Sequence, residues 1–286
     1  MRRMIGGLVA CAAVLLTSVA LGGLHLAAPA ARAVGAPPAD LPAESVVIPS
    51  GSGSLLRGWF IDGRGQGTVV LLHGVHASRL SMLRRARLLS ELGFAVLLID
   101  FQAHGESPGR HITFGRLEAL DAAAAVAYAH ARRPTDHVGA IGTSLGGAAA
   151  LLAPAPLPLD ALVIEGVYGD LRSALSNRLN IVLGPAGRLL TPVFGLLAPV
   201  LLGISLDDLR PVDRIGQLSC PVLVAAGTRD DRTTIAEART LFDHAREPKQ
   251  FWPVTGAGHV DLESYAPDGY RATVLPFLIR YLRPGA

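Results

Sequence analysis

The sequence predicts an α/β fold: a mostly parallel central sheet with helices on both faces and a small helical cap. Three observations carry this expectation. Apolar runs of four to six residues alternate with helix-like stretches along most of the chain, the pattern of repeated strand–helix units. Those runs are apolar throughout, rather than at every second residue, as in strands covered on both faces. One of them leads into Gly142-Thr143-Ser144-Leu145-Gly146, a tight turn before an Ala/Leu-rich stretch.

The first element is a hairpin, in which Ser45–Ile48 and Leu55–Ile61 flank Gly51-Ser52-Gly53. Parallel strands are predicted at Thr68–Leu72, Ala95–Ile99, Val138–Ile141, Ala161–Ile164, Val222–Ala225 and Gln250–Val254. Helices are expected near 78–92, 114–132, 145–153, 234–246 and 268–282. Residues 34–44 are Pro/Ala-rich and read as a linker, and residues 45–286 as one domain. A change in composition marks residues 168–215 as a cap insertion. Within it, Leu189 to Ile204 is a 16-residue uncharged stretch, and Pro192 and Pro199 predict two short helices rather than a membrane span. This insertion is either a small cap packed on the sheet edge or an apolar lid that accepts acyl chains or touches lipid. Phe194, Val200 and Leu201 accordingly face core or substrate.

Composition excludes several classes. Half of the 286 residues are hydrophobic and 17% are charged, against about a quarter charged in a typical domain. With a mean hydropathy of +0.39, a disordered polyelectrolyte is excluded. The net charge of +3 comes from Arg2, Arg3 and Arg32; beyond residue 33 the count is 23 basic against 23 acidic. The arginines are scattered, so nucleic acid is not an expected partner. Two cysteines, Cys11 and Cys220, are too few for a disulfide scaffold or a cysteine-based zinc module. Cys220 reads as a small buried residue.

The N-terminus reads as a targeting segment. Arg2 and Arg3 precede an uncharged stretch from Met4 to Leu24, and Ala-rich sequence ends at Ala31-Arg32-Ala33. That is the layout of a signal peptide covering residues 1–33, whose removal would start the chain at Val34 and leave 253 residues. The same 21 uncharged residues are long enough for an uncleaved anchor, with Arg2 and Arg3 inside and the domain outside. Both readings export the domain to a secreted, periplasmic or cell-surface location. Membrane association follows only if the segment is retained. Leu8-Val9-Ala10-Cys11 resembles a lipidation site but lies too early in the apolar run.

The chemistry centres on Ser144. In G-x-S-x-G between a strand and a helix, the serine stands on a strained turn with its hydroxyl exposed at the strand's C-terminal edge. The glycines are needed because side chains at Gly142 or Gly146 would strike the neighbouring strand and helix. A serine nucleophile needs a base and an orienting acid, expected downstream in the order acid, then histidine. Asp230 follows the run Val222–Ala225, and His259 lies in Gly256-Ala257-Gly258-His259 after the run ending at Val254. Loops at the strand carboxyl ends gather on one edge of such a sheet, where ligands bind. The backbone N–H groups of Leu145 and of Val75, in His73-Gly74-Val75-His76, are the candidate oxyanion hole. His73 and His76 lack a supporting carboxylate or cysteine and are read as loop-shaping residues, so no metal is expected.

These residues resemble the α/β-hydrolase family, in its esterase and serine-aminopeptidase-like branch. The matching pieces are His73-Gly74, Asp100 with His104-Gly105-Glu106-Ser107, the Ser144 turn, Asp230 and His259, over about residues 45–283. An arginine–glycine pair is more usual before the family's loop histidine than Gln102-Ala103. The resemblance implies an eight-stranded, mostly parallel sheet and a Ser–His–Asp triad working without a cofactor. It names no substrate, because many activities share these parts. Asp231, next to Asp230, and Glu165, at the end of the preceding strand, are alternative acids. The expectation is therefore an exported serine hydrolase that cleaves a small-molecule acyl substrate, a carboxylic ester or related compound. Acyl transfer, peptidase activity and a catalytically silent binding module are the alternatives.

Overall fold

The computed structural model describes residue 14 and residues 16–283. The charged start of the targeting segment and Cys11 lie outside the described residues. The chain opens with an apolar helix, α1 (Leu16–Leu26), and a two-residue strand, β1 (Ala30–Ala31). The hairpin β2 (Ala43–Pro49) and β3 (Leu55–Ile61) follows, then β4 (Thr68–Leu72). A 3-10 turn (Arg79–Met82) runs into α2 (Leu83–Glu91), followed by β5 (Ala95–Ile99), β6 (His104–Gly105) and α3 (Glu118–Arg132). Next come β7 (Val138–Thr143), α4 (Leu145–Leu151) and β8 (Ala161–Glu165). The cap contributes α5 (Leu171–Leu183), a 3-10 turn (Pro185–Leu190), α6 (Thr191–Leu202) and α7 (Val212–Ile215). The chain ends with β9 (Val222–Gly227), α8 (Ile235–His244), β10 (Lys249–Val254), α9 (Leu262–Tyr265) and α10 (Pro267–Leu282).

Eight strands form one sheet in the order β10-β9-β8-β7-β4-β5-β3-β2. Only β3 pairs antiparallel, with β2 and β5; the other pairs are parallel. Residues of β4, β5, β8 and β9 are buried without exception, which is why their sequences are apolar at every position. Successive side chains serve opposite faces. Val70 and Leu72 join the core beneath α3, α4 and α8, whereas Val69 and Leu71 join the core beneath α2 and α10. The edge strands differ: β2 alternates, and β10 is covered on one side only and stays largely half-buried or exposed. Strand order reverses at β4, which leads outward to β5 while β7 lies on its other side. Ligand sites in open α/β sheets form at such a reversal.

Two expectations need correction. Residues 34–44 are not a free linker. Val34 and Gly35 N–H donate to Glu106 Oε1 at 3.0 and 2.9 Å, Leu41 is buried, and β2 already begins at Ala43. Just upstream, β1 pairs with β6, and Arg32 N–H donates to the Gly105 carbonyl at 2.9 Å. In the cap, the stretch expected to break at Pro199 is one helix, α6, with Pro199 inside it. Pro192 sits in the first turn, where its missing N–H leaves no bond unmade. Pro199 removes one bond near the C-terminal end, and its own carbonyl still accepts from Gly203 N–H at 3.1 Å. Gly203 closes the helix in the left-handed conformation, φ 62°.

The N-terminal segment is held electrostatically. The Gly35 N–H and then the Arg79 guanidinium hold the Glu106 carboxyl down at about 2, from an ordinary value of 4.5. A depressed carboxylate contributes stability that is present above its unfolded pKa and lost as pH falls through its folded pKa. Amide-exchange protection at Val34 and Gly35 is therefore expected to be full above about pH 4.5 and to fall away toward about pH 2. Glu106→Gln should reduce that protection at neutral pH by roughly tenfold, since a hydrogen bond to a charged group contributes about 1.5–3 kcal/mol.

Candidate active site

Ser144 lies between β7 and α4 with φ 50° and ψ −113°, a conformation that non-glycine residues rarely adopt. Close packing holds it there. A Cβ at Gly146 would overlap the Leu72 carbonyl oxygen, and one at Gly142 would stand 2.5 Å from the Gly147 Cα. Hydrogen bonds fix the turn on either side: Ser144 N–H donates to the Glu165 carbonyl at 2.8 Å, and Ala148 N–H to the Ser144 carbonyl at 3.1 Å. The Ser144 hydroxyl makes no hydrogen bond among the described residues and faces a pocket of about 340 Å³ that His259 also lines.

The loops after β9 and β10 are built as one unit. Gly227 is required because a Cβ there would strike the Ala257 carbonyl. Arg229 N–H donates to the Ala257 carbonyl at 2.9 Å, and Gly256 N–H to Thr228 Oγ1 at 2.8 Å. Locked in this way, His259 Nδ1 lies 2.8 Å from Asp230 Oδ2. The other carboxylate oxygen accepts from Arg232 and Thr233 N–H, both at 2.9 Å, and Thr233 Oγ1 donates to Oδ2 at 2.8 Å. Burial pushes the Asp230 carboxyl up, but its bond with His259, the imidazole charge and the Thr233 donors outweigh this and leave it below its ordinary value. Asp230 is thus placed to accept from His259 Nδ1 on the inner side of the ring.

Of the three carboxylates weighed from the sequence, only Asp230 meets His259. Asp231 is exposed. Glu165 is wholly buried with Arg85 Nη2 at 2.6 Å and Tyr270 Oη at 2.7 Å, and Thr143 Oγ1 lies at 3.3 Å. Asp261 completes this cluster by pairing with the other Arg85 nitrogen. Its partners come from α2 and α10, on the sheet face away from the cap.

Val75 and Leu145 both line the pocket beside Ser144. The His73 ring shapes the Val75 loop: Nδ1–H donates to the Gly74 carbonyl at 2.7 Å and Nε2 accepts from Phe101 N–H at 3.1 Å. Burial, with the neighbouring His104, lowers its pKa to about 3, so the ring stays neutral. His76 Nε2 bonds the Leu26 carbonyl at 3.0 Å and so ties this loop to α1. Asp100 supports the region from below, paired with Arg79 and accepting the Glu106 N–H at 2.9 Å. Cys220 is buried and unpaired, and desolvation pushes its thiol up to about 11.

Sequence reasoning missed several lining residues. Gly23 and Leu26 come from α1, Arg178 from α5, and Arg232 from the loop after Asp230. Phe194 faces this pocket, whereas Val200 is exposed and Leu201 packs on the core. Gly166, φ 58°, lies under the imidazole, and a Cβ there would be 3.5 Å from His259 Cε1. Its position directly after Glu165 at a strand end was a readable signal.

Comparison with known proteins agrees with the fold. The family described as serine aminopeptidase, S33, matches residues 63–201. An uncharacterized protein of Mycobacterium tuberculosis is 32% identical over 243 residues, spanning 82% of this chain and 79% of its own length. The chain belongs to the α/β-hydrolase family. A second relative of this hydrolase is YqkD of Bacillus subtilis, 26% identical over 81% of this chain and 78% of its own. The Pyrococcus furiosus esterase Pf2001 shares its fold, with a TM-score of 0.74 over 90% of this chain and 98% of that one at 24% identity.

Two substitutions check these packing relations by urea unfolding. Gly146→Ala should destabilise the hydrolase by about 3 kcal/mol, the upper end for overpacking, because the obstacle is backbone. Glu165→Gln should cost about 3 kcal/mol by removing one partner of a buried ion pair, without touching the Asp230–His259 bond.

Proposed function

We propose that this α/β-hydrolase is a serine hydrolase that cleaves carboxylic esters or related acyl compounds through an acyl-enzyme. The observation that carries this is the 2.8 Å Asp230–His259 bond at the wall of the pocket that also holds Ser144. His259 Nε2 takes the Ser144 proton as Oγ attacks the substrate carbonyl, and Asp230 stabilises the imidazolium. The Val75 and Leu145 N–H groups receive the developing oxyanion. Imidazolium returns the proton to the departing alcohol as the C–O bond breaks, which leaves an acyl ester on Ser144. Water, deprotonated by His259, attacks that ester and releases the acid and the serine hydroxyl.

The lining favours an ester over an aminopeptidase substrate. Among the described residues it includes Arg178 and Arg232 and no Asp or Glu, so a substrate ammonium would find no acidic partner there. Leu175, Phe194, Ala198 and Leu202 offer apolar walls to an acyl chain. Export with Arg2 and Arg3 inside belongs to the same reading and is supported by the uncharged run from Met4 to Leu24.

Labelling by a fluorophosphonate probe and turnover of p-nitrophenyl esters of increasing chain length, beside aminoacyl amides, test the reading. Ester turnover with kcat/KM rising over the first methylenes is expected, each buried CH2 contributing about 0.8 kcal/mol. Ser144→Ala should lower kcat about a million-fold with the fold intact. Asp230→Asn should cost about ten-thousand-fold through the wrong imidazole tautomer. Unchanged turnover in purified Ser144→Ala protein would overturn the mechanism.

A further inference from the structure

Residues 1–33 read from the sequence as a signal peptide or an anchor. Within that stretch, Gly23 and Leu26 of α1 line the pocket that holds Ser144. Helix α1 lies on cap helix α6, and the ring of Phe194 stands 3.4 Å from where a Gly23 Cβ would be and 3.7 Å from one at Gly22. Gly23 and Leu26 on one side, and Phe194, Ala198 and Leu202 on the other, wall the pocket that holds Ser144. Removal of residues 1–33 would take one wall away.

The outer surface of these two helices is apolar. Pro185–Leu202 has a mean hydropathy of 1.5, yet only 17% of it is buried. Leu189, Leu196 and Val200 are 77, 73 and 84% exposed, and Leu21 and Leu24 of α1 are exposed too. Exposed apolar surface on this scale marks an interaction site.

Along α5, the 3-10 turn and α6 the charges have one sign, while the rest of the cap adds Asp170, Asp207, Asp208 and Asp213 beside Arg210 and Arg214. Residues 171–206 carry Arg172, Arg178 and Arg188 with no Asp or Glu, and residues 1–39 carry Arg2, Arg3 and Arg32 with none. Arg172 pairs with Asp207, whereas Arg178 and Arg188 have no carboxylate partner among the described residues. The 21-residue uncharged run that supplies α1 extends beyond the described residues toward Arg2 and Arg3, with a length that suits a bilayer core.

We propose that α1 and the cap form one lipid-facing surface, seated on an anionic bilayer, through which acyl chains of membrane lipid esters reach Ser144. Residues 1–33 remain attached, the apolar run enters the bilayer, and the free arginines meet lipid phosphates. The substrate class rests on the serine-hydrolase reading above; the surface does not.

The test uses the full chain with Cys11→Ser, reconstituted into vesicles of phosphatidylcholine with one quarter phosphatidylglycerol. A fluorophore is attached at Leu196→Cys, or at Asp268→Cys on the opposite face of the sheet. Brominated lipid should quench the Leu196 label at least twofold and leave the Asp268 label unchanged, and quenching should weaken without phosphatidylglycerol. Leu196→Asp with Val200→Asp should lower hydrolysis of a vesicle-embedded long-chain ester at least tenfold and leave p-nitrophenyl butyrate turnover within twofold. Equal quenching at both positions, with soluble ester still hydrolysed, would overturn the lipid-facing surface. Emission that follows protein concentration but not bromination would assign the surface to a second copy of the chain, and would overturn it too. Selective quenching without turnover of any ester would overturn the serine-hydrolase reading instead, and with it the substrate class.

Discussion

Gly146 lets the first turn of α4 lie against the Leu72 carbonyl, and the candidate active site depends on that approach. With the helix so close to β4, the chain between β7 and α4 has room for only a sharp turn. Ser144 takes it at φ 50°. The strain, of order 1–3 kcal/mol, is offset by packing around Gly142 and Gly147 and by the bond from Ser144 N–H to the Glu165 carbonyl. The same approach sets α4 beside the β4 loop, which brings Leu145 and Val75 to one pocket.

Buried charge is arranged around this turn so that each carboxylate has one task. Arg85 and Tyr270 occupy Glu165 on the face away from the cap, and Arg79 occupies Asp100. Each pair would be costly to break, because an uncompensated charge would remain in the core. Asp230 is left as the acid facing His259, and Thr233 and Arg232 N–H hold its second oxygen. The bond to His259 and the imidazole charge, with the Thr233 donors, hold the Asp230 pKa below the ordinary value despite burial.

The N-terminal segment joins the two halves of the site. Its backbone pairs with β6 and with Glu106, and its helix closes the pocket against the cap. One stretch of chain therefore combines the apolar character of a membrane segment with contacts that belong to a folded domain. Glu106 links the two, since it binds both that segment and the Arg79 that neutralises Asp100.

Local chemistry made much of this legible. Strands such as Ala95–Ile99 were readable because burial on both faces demands an unbroken apolar run. The Ser144 turn was readable because only glycine tolerates such contacts. The sequence by itself determined the alternation of elements, the tight turn at Ser144 and the order in which Asp230 and His259 follow it. Only the tertiary structure showed which of Asp230, Asp231 and Glu165 meets His259, because that rests on partners such as Arg85 and Tyr270, 80 and 105 residues from Glu165. It also decided that α6 runs through Pro199 and that α1 walls the pocket. Hydrophobic periodicity reports how much apolar surface a segment must cover, but not which surface covers it.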